Sequence, residues 1–412
     1  MASQSNLSNR KIFKYHNLTP LWIAVFIDII GFTLILPMSP FIAKQFNIDI
    51  FIMGIVLSIN AMFSFIFGPI LGKLSDKYGR KPLLLISQVG TFVGFLMLAF
   101  SNSIWMLIVS RIVDGVFGGN FPIAKAIIGD EVPPNDRGIQ MANIGIAHVL
   151  ASLIGPGMGG ILFSIGGLLL PGLFAAGLSL FTMVITIFIL NETWPKSKRE
   201  LNHKLKKEIV IKISKNKNAM WYLTLFGFHT VSFTIAMASL SFFAEIMFGI
   251  GPSEIGILLM ISGIFRTIVR FTLFKPTIKK IGETNAIKVG LGIFFIAFII
   301  VGLSFNIWMF LILILFISFA ASLTRGPLNS RISQTVTPME QGKINGYSSG
   351  LDSFAQIICP LIGTFMLSFY TPSFLGFLMA SVAFVPFLMG FKAIELKKHH
   401  IPIQSQEEFI EE

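Results

Sequence analysis

The chain has 412 residues, of which 54% are hydrophobic and only 13% carry a charge. Because soluble domains usually carry about 25% charged residues, this composition excludes an ordinary water-soluble fold and indicates a protein that lies in lipid. The net charge of +12 would favour nucleic-acid binding in a soluble protein. Here we assign it to loops that orient membrane helices, and we expect no nucleic-acid partner. The single cysteine, Cys359, excludes internal disulfides and a cysteine-based metal site.

Twelve apolar runs, each long enough to form a helix across a bilayer, follow one another along the chain. They lack the period-two alternation of a membrane β-barrel, so the sequence predicts an all-α membrane protein with twelve transmembrane helices. We number these runs as spans 1 to 12. They lie at about 19–43, 50–72, 82–101, 103–129, 138–166, 169–190, 219–248, 254–275, 286–304, 306–331, 342–370 and 372–391.

Lysine and arginine accumulate in alternate connections between the spans, including residues 72–82 and 275–288. Since positively charged loops stay on the cytoplasmic side, we expect both chain termini to be cytoplasmic. A basic segment separates the first six spans from the last six. The predicted domains are an N-terminal six-helix bundle (1–190), a basic cytoplasmic linker (191–218), a C-terminal six-helix bundle (219–398) and a cytoplasmic tail (399–412).

The two halves of the chain are related by an internal repeat. The stretch VPPNDRG from Val132 matches VTPMEQG from Val336 at an offset of 204 residues, and the register continues without a gap. The later matches pair Ala151 with Ala355, Pro156 with Pro360 and Gly159 with Gly363, and Gly79 pairs with Gly282 at an offset of 203. The repeat predicts two pseudo-symmetric six-helix bundles in parallel orientation. Parallel repeats of this kind are typical of transporters that work by alternating access.

The stretch GKLSDKYGRK, which begins at Gly72, identifies the family that the chain resembles. It resembles the loop between helices 2 and 3 of the major facilitator superfamily, written G-x-L-[A/S]-D-[R/K]-x-G-R-[R/K], at every position. Arg111 is similar to the arginine of the helix-4 motif, and ASLIGPGMGG, from Ala151, is similar to the helix-5 motif of the antiporter branch. Asp28-Ile-Ile-Gly31 and Pro37-Met-Ser-Pro40 resemble helix 1 of the tetracycline-efflux and drug–proton antiporter group.

The resemblance implies a cytoplasmic latch formed by Gly72, Asp76, Gly79, Arg80 and Asp130. The glycines would permit a tight connection between helices. Asp76 would sit at the N-terminus of span 11, where free N–H groups favour an anion, and Arg80 would pair with Asp130 at the end of span 4. The alternative is that these charges only set the membrane topology.

The resemblance also implies that a second group of residues, Gly155, Pro156, Gly159 and Gly160, forms a hinge and packing seam between spans 5 and 8. Small residues let membrane helices approach closely, and the proline removes one helix hydrogen bond. Simple close packing would explain the glycines equally well.

Ionisable groups deep in a membrane usually face a cavity or a partner, and seven fall well inside the spans. They are Asp28, Arg111, Asp114, His148, Arg266, Arg270 and Asp352. We expect Asp28 to be the proton-coupling residue, because a carboxylate in a central cavity can take up and release a proton near neutral pH. The alternative is a permanent pair with an arginine. Lys125, Glu245 and Arg325 lie nearer span ends, and their side chains could extend to the interface.

The other six charged groups suggest three pairings. Arg111 and Asp114 share one helix face, either as a structural pair or as a relay. His148 and Asp352 hold matching positions of the repeat, which could place them across the cavity from each other. Arg266 and Arg270 are one helical turn apart and require an anion, which Asp352, Asp28 or an anionic substrate could supply.

The sequence therefore predicts a secondary active transporter that works by rocker-switch alternating access, with proton-coupled export of amphipathic small molecules as the favoured activity. The alternative is a carrier of an organic anion, siderophore, phosphorylated solute or lysolipid that uses Arg266 and Arg270. A transport-incompetent sensor on the same fold is the third hypothesis. We expect no enzymatic activity, cofactor or metal, and we expect a monomer in the cell membrane with small-molecule substrate, protons and lipids as partners.

Overall fold

The computed structural model describes residues 18–195, 216–337 and 340–391. Most of the predicted linker and all of the predicted tail lie outside these ranges. The described helices are α1 (Thr19–Gln45), α2 (Ile50–Tyr78), α3 (Arg80–Ala99), α4 (Ile104–Val116), α5 (Asn120–Glu131), α6 (Pro134–Gly166), α7 (Leu169–Ile189), α8 (Lys217–Phe248), α9 (Pro252–Thr272), α10 (Phe274–Gly302), α11 (Ile307–Gln334), α12 (Gln341–Phe369) and α13 (Pro372–Phe391). Helices α4 and α5 together correspond to predicted span 4.

The helices have the length and surface of membrane spans. Twelve stretches are long and apolar enough to cross a bilayer when α4 and α5 are counted as one, as predicted. Their outer faces carry large apolar side chains, such as Phe188 and Phe305, which are 82% and 84% exposed. Trp105 and Trp308, at matching positions of the repeat, are also exposed. Tryptophan is enriched at the membrane–water interface, so these side chains mark the same boundary in both halves.

Two glycines break the helices at matching positions of the repeat. Gly79 has a φ of 113° and separates α2 from α3, and Gly282 has a φ of 77° inside α10. Side chains larger than glycine rarely adopt such angles. The predicted loops at 72–82 and 275–288 are therefore wrong in extent, because α2 continues to Tyr78 and the helix resumes at Arg80. Lysine and arginine are compatible with a helix, so the helices continue through these charged stretches beyond their apolar parts.

Predicted span 4 is also interrupted, by the residues Phe117, Gly118 and Gly119 between α4 and α5. Ser87 of α3 satisfies the freed backbone groups: its hydroxyl donates to the carbonyl oxygen of Phe117 and accepts from the N–H of Gly119. Predicted span 4 thus consists of two helices, because a glycine pair with a side-chain partner allows a break. The break sets the position of Asn120, the first residue of α5.

Helix packing follows the repeat. In the first half α1 packs on α6, α3 packs on α7, and both α2 and α3 pack on α4. In the second half α8 packs on α12 and α13, and α10 packs on α11 and α13. Two extensive contacts join the halves, α6 with α9 and α2 with α12. We call the end of the molecule that carries Gly79 the hinge end, and the opposite end, where α1 meets α2, the far end.

Candidate functional site

Polar side chains from four helices meet near the middle of the first half. Asn120 of α5 donates to Asp28 of α1 at 2.7 Å. Asn60 of α2 donates to Asp114 of α4 at 2.9 Å, and Arg111 lies 3.4 Å from the same carboxylate. We call these five residues the carboxylate cluster. The sequence placed Arg111 and Asp114 on one helix face, and the structure brings them into an ion pair. Asn60 and Asn120 were not predicted, because only ionisable side chains inside the spans were considered as site residues.

Arg111 is enclosed in protein. Its side chain is 2% exposed, and its guanidinium carbon lies 5.7 Å from the centre of the Phe95 ring. Its Nη2 has no hydrogen-bond partner among the described residues. Helix α3 packs closely against Asp114, since a Cβ built on Gly94 would lie 3.0 Å from the Cβ of Asp114. Arg111 therefore serves as the ion-pair partner of Asp114, and its guanidinium is not accessible to a large solute.

Asp28 differs from the other carboxylates inside the spans. Asp114 pairs with Arg111, and Asp352 pairs with Arg325. Within the described ranges Asp28 has a hydrogen bond from a neutral amide and no ion pair. The predicted alternative of a permanent arginine pair is therefore not formed in this structure. A carboxylate that is desolvated without a cation is the kind of group that can take up and release a proton.

In the second half, the ion pair of Asp352 differs from the one predicted from the sequence. Arg325 of α11 donates to Asp352 of α12 at 2.8 Å, and its guanidinium carbon lies 5.7 Å from the centre of the Phe226 ring. Asp352 thus pairs with Arg325, whereas Arg266 or Arg270 was suggested as its partner. Arg325 was predicted to lie nearer a span end, and its side chain is 44% exposed while it pairs with Asp352.

Arg266 and His148 complete this group. The backbone carbonyl of Arg266 accepts from Ser322 at 3.2 Å, but within the described ranges its guanidinium has no carboxylate partner. His148 of α6 is exposed. A Cβ built on Gly263 of α9 would lie 3.4 Å from the Cα of Leu153 of α6, so His148 and Arg266 follow toward the hinge end on the same two packed helices, one from each half. We call His148, Arg266, Arg325 and Asp352 the arginine cluster. Arg270 lies one turn nearer the hinge end and is exposed.

The predicted latch residues meet at the hinge end. Arg80 is 6% exposed and lies 2.8 Å from Asp130 and 2.6 Å from Asp76. The N-terminus of α12 is not among the partners of Asp76 in the described part of the chain, although the family resemblance suggested that contact. Gly79 supplies the break, and Gly72 lies beside Pro122, where an added Cβ would be 3.9 Å from the proline Cβ.

Two further residues support the latch. Glu192, which follows α7, accepts hydrogen bonds from the backbone N–H groups of Arg80 and Lys81 at 2.9 and 3.3 Å. These are free donors at the start of α3, so Glu192 caps that helix. Ser75 accepts from Arg80 at 2.6 Å. Neither residue was a sequence candidate, because Glu192 was assigned to the linker and Ser75 carries no charge.

The glycines predicted as a packing seam divide between two neighbours. A Cβ on Gly155 would meet Thr33, and one on Gly159 would meet the backbone of Leu34, so these two pack on α1. Gly160 packs on α9, where an added Cβ would lie 3.0 Å from the Cα of Gly256. The carbonyl of Pro156 also faces Gly256. The seam between α6 and α9 therefore uses Pro156 and Gly160, with Gly157 against Met260.

Three polar contacts between the halves lie at the far end. Ser164 and Ser253 are 2.6 Å apart, and Ser368 donates to Asp49 at 2.8 Å. Lys44 forms an ion pair with Glu245. In this conformation the halves are joined at the far end, while the latch contacts at the hinge end lie within the first half.

A family comparison agrees with this architecture. The family model described as Major Facilitator Superfamily matches residues 21–304 and 230–410. The chain belongs to the Major Facilitator Superfamily. With its twelve candidate spans it is a multi-pass transporter of the cell membrane, as the sequence motifs suggested.

Several members of the superfamily are similar along most of the chain. The tetracycline resistance protein, class H, of Pasteurella multocida is 27% identical over 83% of this chain and 87% of its own length. The multidrug resistance protein MdtG of Proteus mirabilis is 28% identical over 92% of this chain and 96% of its own. The crystal structure of a D-xylose-proton symporter shares the fold, with a TM-score of 0.75 at 15% identity over 91% of this chain and 96% of that one.

Proposed function

We propose that this transporter exports amphipathic small molecules in exchange for protons. Two six-helix bundles, residues 1–190 and 219–398, would rock against each other around a central cavity. The hinge end would face the cytoplasm, because the basic connections lie there and positive loops stay inside. The tetracycline and multidrug resistance proteins to which the chain is similar support a role in efflux.

The observation that carries the proposal is the environment of Asp28. It is a carboxylate deep in a span whose described partner is the neutral amide of Asn120. Burial without a cation favours the protonated acid, and access to water favours the carboxylate. A change of access from one side of the membrane to the other can therefore load and unload a proton at Asp28. Asp114 is held by Arg111 and is less suited to this exchange.

The contacts at the two ends support alternating access. The far end is joined by the Ser164–Ser253 and Asp49–Ser368 contacts and by the Lys44–Glu245 pair. These contacts would have to separate when the cavity opens toward the outside. The latch of Arg80 with Asp76 and Asp130 would then engage the second half at the hinge end. Opening of one end would thus be matched by closure of the other.

Reconstituted vesicles test the proposal. The purified protein is placed in liposomes with an acidic lumen and a trapped pH dye, and lipophilic cations (ethidium, tetraphenylphosphonium) or an acidic amphiphile are added outside. An antiporter exchanges the compound for luminal protons, so the lumen becomes more alkaline than in protein-free liposomes. Uptake of a compound without any proton movement would contradict proton coupling and would indicate a uniporter.

One observation favours the second candidate, a carrier of an organic anion. Arg266 lies within a span without a carboxylate partner among the described residues, and Arg270 is one turn away. Siderophores, phosphorylated solutes and lysolipids share the acidic group that such a site would bind. The same vesicle assay separates the candidates, because the responding compounds would be acidic ones alone. Binding without any movement of solute would instead favour a transport-incompetent sensor.

A further inference from the structure

The arginine cluster has more positive charge than its own carboxylate can balance. Asp352 is bound to Arg325 at 2.8 Å, and Arg266 remains without a carboxylate among the described residues. Unbalanced charge within a membrane span is costly, so such groups usually face a cavity or bind a partner. The missing partner is an anion.

This cluster is accessible, in contrast to the carboxylate cluster. The side chain of Arg325 is 44% exposed, whereas that of Arg111 is 2% exposed and enclosed by protein. His148 approaches from α6 of the first half, and the other members lie on α9, α11 and α12 of the second half. An anion between them would contact both halves of the transporter at once.

The charge of the cluster defines one end of the ligand. The guanidinium of Arg325 lies above the ring of Phe226, but Phe226, His229 and Phe294 are at most 2% exposed and belong to the packed interior. The amphipathic body of the ligand is therefore taken from the proposed function, and the arginines specify its acidic group. Arginine presents paired N–H donors that match a carboxylate or a phosphate.

We infer that the transported substrate is an amphiphile with an acidic group, and that Arg266 and Arg325 bind this group between the two halves. The inference rests on the proposed function for the apolar part of the substrate and for its passage between the halves. Asp352 competes with the substrate for Arg325, so the substrate anion must share or displace that ion pair. Arg270 lies one turn toward the hinge end and is exposed.

Equilibrium binding of two matched probes tests the inference. The probes are 11-(dansylamino)undecanoic acid and its methyl ester, which differ only in the acidic group, and the readout is dansyl fluorescence with the full-length protein in nanodiscs. The acid should bind the wild type at least about tenfold more tightly than the ester. Arg266→Gln should bind the acid as weakly as the ester, and Arg266→Lys should recover part of the difference.

Two further variants control for charge and folding. Lys288→Gln removes one positive charge from the same half, at a side chain that packs near Gly390 of α13, and it should bind the acid like the wild type. Arg325→Gln leaves Asp352 unpaired and could fail to fold, so the double variant Arg325→Gln/Asp352→Asn removes both charges together. The double variant should lose the preference for the acid.

Competition for the acidic probe distinguishes an amphipathic anion from inorganic phosphate as the ligand. Dodecanoate should displace the acidic probe, and inorganic phosphate at the same concentration should not. Equal displacement by inorganic phosphate would overturn the assignment to an amphiphile, and equal affinity of the wild type for acid and ester would overturn the site itself. Discrimination between the probes without substrate-driven proton flux would support this inference while removing the proposed proton coupling.

Discussion

Gly256 of α9 lies so close to Pro156 of α6 that a Cβ built on the glycine would be 2.5 Å from the proline carbonyl oxygen. Gly54 of α2 and Pro360 of α12 show the same relationship at 3.0 Å. The seams between α6 and α9 and between α2 and α12 therefore close the far end in equivalent ways. Each half contributes a glycine to one seam and a proline carbonyl to the other.

The close contact at Gly256 predicts that a single added methyl group slows transport. Gly256→Ala should prevent full closure of the far end and reduce the transport rate roughly tenfold, which corresponds to about 1.4 kcal/mol. Gly177→Ala is the matched control, because a Cβ there meets nothing within 4 Å. Transport is measured in vesicles with equal amounts of folded protein. Equal rates for the two variants would show that the close approach is not required during the cycle.

The contact between Ser164 and Ser253 allows the far end to be locked. In the variant Ser164→Cys/Ser253→Cys an oxidant should form a disulfide, because the two hydroxyl oxygens are 2.6 Å apart. The crosslink should stop transport, and a reductant should restore it. Each single cysteine variant is the control, and the native Cys359 is buried. Undiminished transport by the crosslinked protein would contradict opening at this end.

At the hinge end, we expect the loss of charge at Asp130 to destabilise the protein and the loss of charge at Lys73 to have no effect. Asp130→Asn removes one partner of a nearly buried arginine and should lower the free energy of unfolding by about 1–3 kcal/mol. Lys73→Gln, at an exposed lysine of the same motif, should leave it unchanged. Thermal unfolding followed by tryptophan fluorescence measures both variants. If Lys73→Gln were as destabilising as Asp130→Asn, the motif would act through total charge and not through this pair.

Glu192 links the start of the linker to the latch. Glu192→Gln keeps the shape of the side chain but weakens its bonds to the N–H groups of Arg80 and Lys81. We expect a loss of about 1 kcal/mol of stability, the usual size of a capping effect, together with slower transport. Glu131→Gln is the control at an exposed glutamate near the same end. An unfolding midpoint equal to that of the control would argue against capping by Glu192.

Much of the fold could be predicted from the sequence because hydropathy depends on local composition. The number of spans followed from apolar runs, and the matching glycines at 79 and 282 followed from the repeat. The ion pairs of Arg80 with Asp130 and of Arg111 with Asp114 followed from a motif and from helix periodicity. Where a motif or a short spacing determines a contact, the sequence contains enough information.

Contacts between helices that are distant in sequence could not be predicted in the same way. The Asp28–Asn120 bond depends on the break between α4 and α5, and the Arg325–Asp352 pair depends on how α11 and α12 are rotated. Neither rotation nor the break is determined by hydropathy.

The most direct test of the account is proton movement through Asp28. Vesicles with an acidic lumen would contain wild type, Asp28→Asn, or Glu131→Gln as a control at an exposed carboxylate. With the compound that gives the largest wild-type signal, we predict that Glu131→Gln raises the luminal pH like the wild type. We predict no pH change for Asp28→Asn, although it should still exchange labelled compound across the membrane. Substrate-driven proton flux in Asp28→Asn equal to that of the wild type would contradict the account.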